Sequence, residues 1–192
     1  MTGIDRPRIE AAVAEILAAI HEDTSREGLA ETPQRVADAY EEFFSGLGRD
    51  PLEPLKDAVP LEGHEAETVL VRDIAFRSVC EHHLLPFLGS AHIAYLPSER
   101  VVGLGRLPKV VEILSSRPQT QERLTEEIAD ALVTGLEPRG VLVVLDAVHG
   151  CVVARGGRQT KSSTVTVASR GALADPLQRG ELFSLIADGL RS

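Results

Sequence analysis

The chain has no tryptophan, one methionine and two cysteines in 192 residues, and aromatic side chains make up only 4% of it. With so few large rings, any core has to be built from Val, Leu, Ile and Ala. Two thiols are too few for the disulfide framework of a small secreted domain, so burial or metal binding explains them better. Positive charge is scarce as well: 20 Lys and Arg stand against 29 Asp and Glu, a formal net charge of −9. A general nucleic-acid binder needs the opposite balance, although a local basic cluster can still recognise a small anion against the global sign. No apolar run approaches the ~18 residues of a membrane span. The opening MTGIDRPRIEAAVAEILAAI is interrupted by Asp5, Glu10 and Glu15, which fits an amphipathic helix and not a signal peptide. These absences point to a cytoplasmic protein that neither spans a membrane nor binds nucleic acid.

The periodicity that is present divides the chain in two. RIEAAVAEILAAIHE repeats apolar residues at three- and four-residue spacing, so one helical face can be buried. A second helix is expected over TPQRVADAYEEFF, with Thr32 as its cap and Pro33 at its first position. GLGRDPLEPLKDAVPLEGHEAE carries proline and glycine at short intervals without a period and reads as a loop or linker. Strand patterns follow in ETVLVRDIAFRSVC and GSAHIAYLPS. Helical spacing returns in GRLPKVVEILSS and in PQTQERLTEEIADALVTGL, the latter with early negative charge around Thr125 to Glu127. Two more strands, GVLVVLDAVHGCVVARG and SSTVTVASRG, precede a closing helix, DPLQRGELFSLIADGL, capped by Asp175. The fold class is therefore α+β: an N-terminal helical segment and linker over 1–64, then a domain over 65–192 with two helices between its second and third strands.

The chemistry-bearing residues cluster in SVCEHHLLPF and DAVHGCVVARG. Cys80 and His83 form a C-x2-H pair whose side chains can turn toward one ion, and Cys151 can supply a third ligand from the distant strand. A Cys2His set leaves a tetrahedral position open for water, the arrangement of catalytic zinc. Composition and spacing alone leave metal binding and simple burial of the thiols both open.

Several ordered blocks, namely TPQRVADAYEEFFSGL, SVCEHHLLPF, GLGRLPKVVE, RPQTQERLT, DAVHGCVVARG and SSTVT, resemble the GTP cyclohydrolase I family, and together they cover nearly everything from Thr32 to Gly171. The resemblance implies a T-fold domain behind N-terminal helices. Subunit sheets would join into a barrel, closing their exposed edges, and two stacked pentamers would form a homo-decamer with active sites between subunits. It also implies zinc on Cys80, His83 and Cys151, and acid–base roles for His82 and His149. Glu122 and Gln121 would bind the substrate, Glu122 reading the guanine edge, since a carboxylate accepts hydrogen bonds from the ring N–H and the exocyclic amine. Arg35, Arg106, Lys109 and Arg155 would hold the triphosphate. The implied reaction converts GTP to 7,8-dihydroneopterin triphosphate with release of formate, beginning at C8 while His149 protonates N7.

Some positions depart from the family's pattern. Arg106 and Lys109 exchange the usual lysine and arginine, which differ in hydrogen-bonding geometry. Gly105 replaces a serine, and Asp38 stands where a phosphate-facing lysine is common. Asp146 replaces a Glu, and Gly157 replaces a β-branched residue. The Gly105 and Asp38 changes raise an alternative: a specialised paralogue using a less phosphorylated guanine nucleotide or stopping at a ring-opened formamide. A second alternative is a non-catalytic, zinc-stabilised ring scaffold. Nitrile reduction on a related fold is disfavoured, because the chain has no Gly-rich dinucleotide fingerprint between strand and helix.

Overall fold

The computed structural model describes residues 3–61, 67–155 and 159–189. The boundary expected at 64/65, and Gly157, lie outside the described residues.

Helix α1 (Arg6–Ala19) begins at Asp5, whose carboxylate accepts from the Arg8 N–H. It lies against α3 (Thr32–Phe43), with the short α2 (Glu27–Ala30) before it. Arg6 pairs across the two helices with Asp38 and Glu41. No residue of α1 is buried, and Ile20 remains 64% exposed, so the apolar face expected to be covered is only partly so in one chain. The cap of α3 is Glu31 and not Thr32, which already lies inside the helix and turns its hydroxyl back to the Gly28 carbonyl.

The segment expected to be a linker is ordered in part. Pro54 and Leu55 sit in a single 3-10 turn (Glu53–Leu55), both buried, and Leu55 is 1% exposed against Gly135. Proline at the start of such a turn is compatible with it, because the missing N–H would have had no partner there. The short β1 (Val59–Pro60) pairs with β4 (Arg100–Val101).

The main sheet is built from β2 (Val69–Cys80), β3 (Pro86–Leu96), β6 (Gly140–His149) and β7 (Thr164–Gly171), with the two-residue β5 (Pro118–Gln119) beside the end of β2. Its order is β5-β2-β3-β6-β7, antiparallel except where β5 runs parallel to β2. A bulge at Arg72 and Asp73 interrupts the β2–β3 register, and Asp73 takes a positive φ there. Helices α4 (Arg106–Ser115) and α5 (Gln121–Leu136) come between β3 and β6 in the chain and cover one face of the sheet. Ile93, Tyr95, Val143 and Leu145 meet Leu107, Val110, Leu124 and Ile128 in that core. On the opposite face Ala94, Leu142 and Val144 pack against Leu173, Leu182 and Ile186, from a 3-10 turn and the closing helix α7 (Pro176–Gly189). Cover on both faces explains why GVLVVL is continuously apolar and does not alternate. Asp175 caps α7 as expected, accepting from the N–H groups of Leu177 and Gln178. The architecture is mixed α+β.

Candidate active site

Three strand ends meet at one end of this sheet. Cys80 closes β2, and a five-residue turn leads to β3, held by Cys80 N–H to the Leu85 carbonyl at 2.9 Å and Leu84 N–H to the Cys80 carbonyl at 2.8 Å. Leu84 takes a positive φ to make the turn, which presents His83 three residues after Cys80. At the start of β3, Phe87 lies opposite His149, the last residue of β6, and the two rings stack at 4.6 Å with planes 5° apart. Beyond His149 the chain turns at once into α6 (Gly150–Val153), so Cys151 sits on a helical turn and not on the strand where it was expected. The effect is the same: the donor atoms of Cys80, His83 and Cys151 all lie within 4.8 Å of one another. That span is on the scale of two metal–ligand bonds of about 2.0–2.3 Å each, and two thiols with an imidazole are a donor set suited to zinc. Neither cysteine is in a disulfide.

The start of α5 is pinned beside them. Gln119 pairs with Cys80 through β5, and the Glu81 N–H donates to the Gln119 carbonyl at 3.0 Å. Thr120 caps α5 by accepting from the Arg123 N–H, which places the first acidic residue of the helix at Glu122. Thr125, read from sequence as part of that acidic first turn, is instead buried a turn further on, its hydroxyl bonded to the Gln121 carbonyl. Cys80, His82, Gln121, Glu122, His149 and Cys151 all line one cavity of about 230 Å³. A larger hollow of about 490 Å³ beside Ile4 and Phe44 has neither cysteine nor histidine on its walls, so size does not locate the chemistry.

Electrostatics separates these groups. Burial pushes the His149 pKa below its usual value, opposed in part by the charge of Glu122. Burial raises the Cys151 thiol, the neighbouring Cys80 raises it further, and the charge of Arg155 works against both. Glu122 is exposed and makes no hydrogen bond or ion pair among the described residues, leaving its carboxylate available. Glu81 is committed: Arg123 donates to it at 2.6 Å while also donating to Gln119 at 2.7 Å. Sequence reasoning missed Arg123, although its position directly after Glu122 was visible.

The remaining candidates are placed differently. Arg155 is close enough for its charge to act on Cys151. Arg35 pairs with Glu31 at 2.7 Å and Arg106 pairs with Asp57, while Lys109 is exposed; none of the three lines the cavity in this chain. Asp38 is turned toward Arg6, so its charge serves the α1–α3 contact. Asp146 stands opposite Ser90, with one buried oxygen unpartnered among the described residues.

A metal-competent Cys–His–Cys group, two further histidines and a free carboxylate at one end of the sheet of a mixed α+β protein are the parts that a class of enzymes using metal-assisted proton transfer requires. The comparisons narrow this class. Residues 9–187 match the GTP cyclohydrolase I family, and the chain belongs to it. It is 65% identical to GTP cyclohydrolase 1 of Leifsonia xyli subsp. xyli, over 98% of this chain and 99% of that protein. It is 50% identical to the enzyme of that name from Streptococcus pyogenes serotype M3, over 97% of this chain and 96% of that one. The Thermobifida fusca protein of the same name is 51% identical over 96% and 89% of the two lengths. An apo archaeosine synthase QueF-Like structure aligns with a TM-score of 0.42 and 15% identity, over 58% of this chain and 98% of its own, too slight a likeness to carry an argument. Among the described residues, no helix is long and apolar enough to cross a membrane.

Proposed function

We propose that this chain, a GTP cyclohydrolase I enzyme converting GTP to 7,8-dihydroneopterin triphosphate, works through a zinc ion held by Cys80, His83 and Cys151 and releases C8 of guanine as formate. The observation that carries this reading is the Cys–His–Cys group within 4.8 Å, beside His149 and an uncommitted Glu122. Bound zinc supplies a Lewis acid and lowers the pKa of a coordinated water to about 7. Glu122 anchors guanine by accepting from its ring N–H and exocyclic amine. Its place in the capped first turn of α5 fixes where the purine lies relative to the cysteines. His149, whose burial favours the neutral ring, accepts a proton as water adds at C8 and returns it to N7. The C8–N9 bond then breaks, the C8 hydroxyl giving up its proton as N9 gains one, which leaves a formamide on N7. His82, on the exposed turn, is suited to the later proton transfers during ribose opening and rearrangement. Two waters enter, at ring opening and at formamide cleavage, and one leaves when the pterin ring closes, so the net reaction consumes one water.

The cavity in one chain is smaller than the roughly 300–1,000 Å³ typical of small-molecule sites, which supports a site completed by a neighbouring subunit. On this reading Arg155 meets the triphosphate from the same chain, and Arg35, Arg106 and Lys109 come from a neighbour. The unpaired outer edge of β7, with Val165 57% exposed, fits closure of T-fold sheets into a ring and a decamer of two stacked pentamers. The division at 64/65 and residence in the cytoplasm belong to the same proposal. The ion pair of Asp38 with Arg6 removes one of the two grounds for a specialised paralogue.

The test is incubation of the full chain with GTP, GDP, GMP and guanosine, detecting formate and pterin fluorescence separately and measuring zinc. About one zinc per chain and matched formate and pterin from GTP are expected. Formate without pterin, or full turnover by protein lacking zinc, would overturn the reading.

A further inference from the structure

Gln121 is 1% exposed, and both polar atoms of its side chain are engaged. Its Nε2 faces three oxygens: the Thr164 carbonyl at 2.8 Å, the Thr166 hydroxyl at 3.1 Å and the Leu145 carbonyl at 3.2 Å. Carbonyls only accept, so the amide cannot be turned round without setting its own oxygen against two others. The hydroxyls agree with this orientation. Thr125 donates to the Gln121 carbonyl at 2.7 Å, which uses its only proton. In the 2.6 Å contact between the two threonines Thr166 must therefore donate, leaving its own oxygen free to accept from Gln121. With the amide fixed, the atom 2.6 Å from His149 Nε2 is Gln121 Oε1, which also can only accept. The proton of a neutral His149 must then sit on Nε2. Nδ1 makes no hydrogen bond among the described residues, and stacking on Phe87 holds the ring plane.

We propose that Gln121 is a positioning residue and not a substrate contact: it locks His149 as the Nε2–H tautomer, so that every proton exchanged with the purine passes through Nδ1. This rests on the reading of His149 as the proton carrier. In the transfer, Nδ1 takes a proton from the attacking water and gives it to N7, while the other proton stays on Nε2 throughout, donated to Gln121 Oε1. The buried network of Thr166, Thr125 and two main-chain carbonyls thus sets which face of the imidazole is reactive.

Ring ¹⁵N shifts of histidine-labelled, zinc-loaded protein at alkaline pH test this directly, with His149→Asn used only to assign the signal. A protonated Nε2 and a bare Nδ1 are expected; the reverse tautomer overturns the proposal. Gln121→Met keeps the volume and removes the acceptor. It should lose the single tautomer and cut kcat by roughly 10²-fold, the scale of general acid–base catalysis, with KM for GTP and zinc content unchanged. A raised KM with kcat preserved would make Gln121 a substrate contact and refute the idea. If Gln121→Met does not assemble, the wild-type tautomer decides alone. Wild-type protein that releases no formate from GTP would sink the proposed function while leaving the tautomer result to be judged on its own.

Discussion

Gly89 offers the sharpest test of how the sheet positions the site. It lies in β3 against β6, and a Cβ built there would stand 2.0 Å from the Asp146 carbonyl oxygen and 2.7 Å from both Cα and Cβ of Ala147. Ordinary contact begins at 3.4 Å, so Gly89→Ala requires 3.4 − 2.0 = 1.4 Å of separation. The atoms that must move belong to the backbone and Cβ of one strand, so no flexible side-chain tip can swing aside. Strands normally lie about 4.7–4.9 Å apart, and opening them by this much stretches neighbouring ladder bonds past hydrogen-bonding distance. Two such bonds at about 0.5–1.5 kcal/mol each, with overpacking strain of about 1–3 kcal/mol, give a loss of roughly 2–6 kcal/mol. For a chain of this size that is roughly 4–24 °C in melting temperature. The damage should also reach the site, because β6 runs on from Ala147 to His149 and leads at once into α6 with Cys151. Thermal unfolding and zinc content, measured on the same preparation, check both expectations. Gly105→Ala is the matched control: nothing lies within 4 Å of its Cβ position and its φ of −67° is ordinary, so it should be neutral. A Gly89→Ala protein melting within about 2 °C of wild type and retaining its zinc would refute the reasoning.

Two further substitutions probe the rest of the fold. His92 is buried, its Nδ1 accepts from the Asp73 N–H at 3.3 Å, and burial lowers its pKa from 6.5 against the partly opposing charges of Asp73 and Asp146. The unfolded chain therefore binds a proton more readily. The stability tied to neutral His92 is complete above about pH 6.5 and falls as pH drops below it, by up to about 1.4 kcal/mol per pH unit. His92→Asn keeps an acceptor for the Asp73 N–H and should flatten urea-denaturation midpoints measured across that range; an unchanged slope would count against it. Leu55→Ala should cost about 2–5 kcal/mol in urea titrations at fixed protein concentration, whereas a change under about 1 kcal/mol would return this segment to the status of a linker.

What could be read in advance follows the range of the interactions. Strand and helix periods are local, and so is the C-x2-H spacing, which needs only a hairpin turn after Cys80 to bring His83 round. The cap of α7 was legible for the same reason. Thr32 was misassigned because threonine is favoured at caps without being confined to them, and the structure uses the preceding Glu31. The early negative charge read around Thr125 to Glu127 falls a turn into a helix that Thr120 caps. Leu55 was hidden because its prolines and glycines resemble a loop, and its burial depends on a partner, Gly135, eighty residues further on.

The ionic partners were the least legible part. Nothing in the composition says that Asp38 meets Arg6, that Arg106 meets Asp57 or that Arg123 meets Glu81, because each pair depends on how separate elements come to lie together. These pairings change the argument about function. A carboxylate at residue 38 looks hostile to a triphosphate only while it is taken to be free. Conversely, Glu122 has the same charge and a similar exposure, and it is notable because it has no such partner among the described residues. Exposed ion pairs contribute little stability, about 0–1 kcal/mol, so their larger effect here is to remove charges from consideration. What they leave beside Cys80 and Cys151 is one uncommitted carboxylate and one histidine already held from behind by a buried amide. A purine set down on Glu122 would therefore meet an imidazole whose orientation was fixed before it arrived.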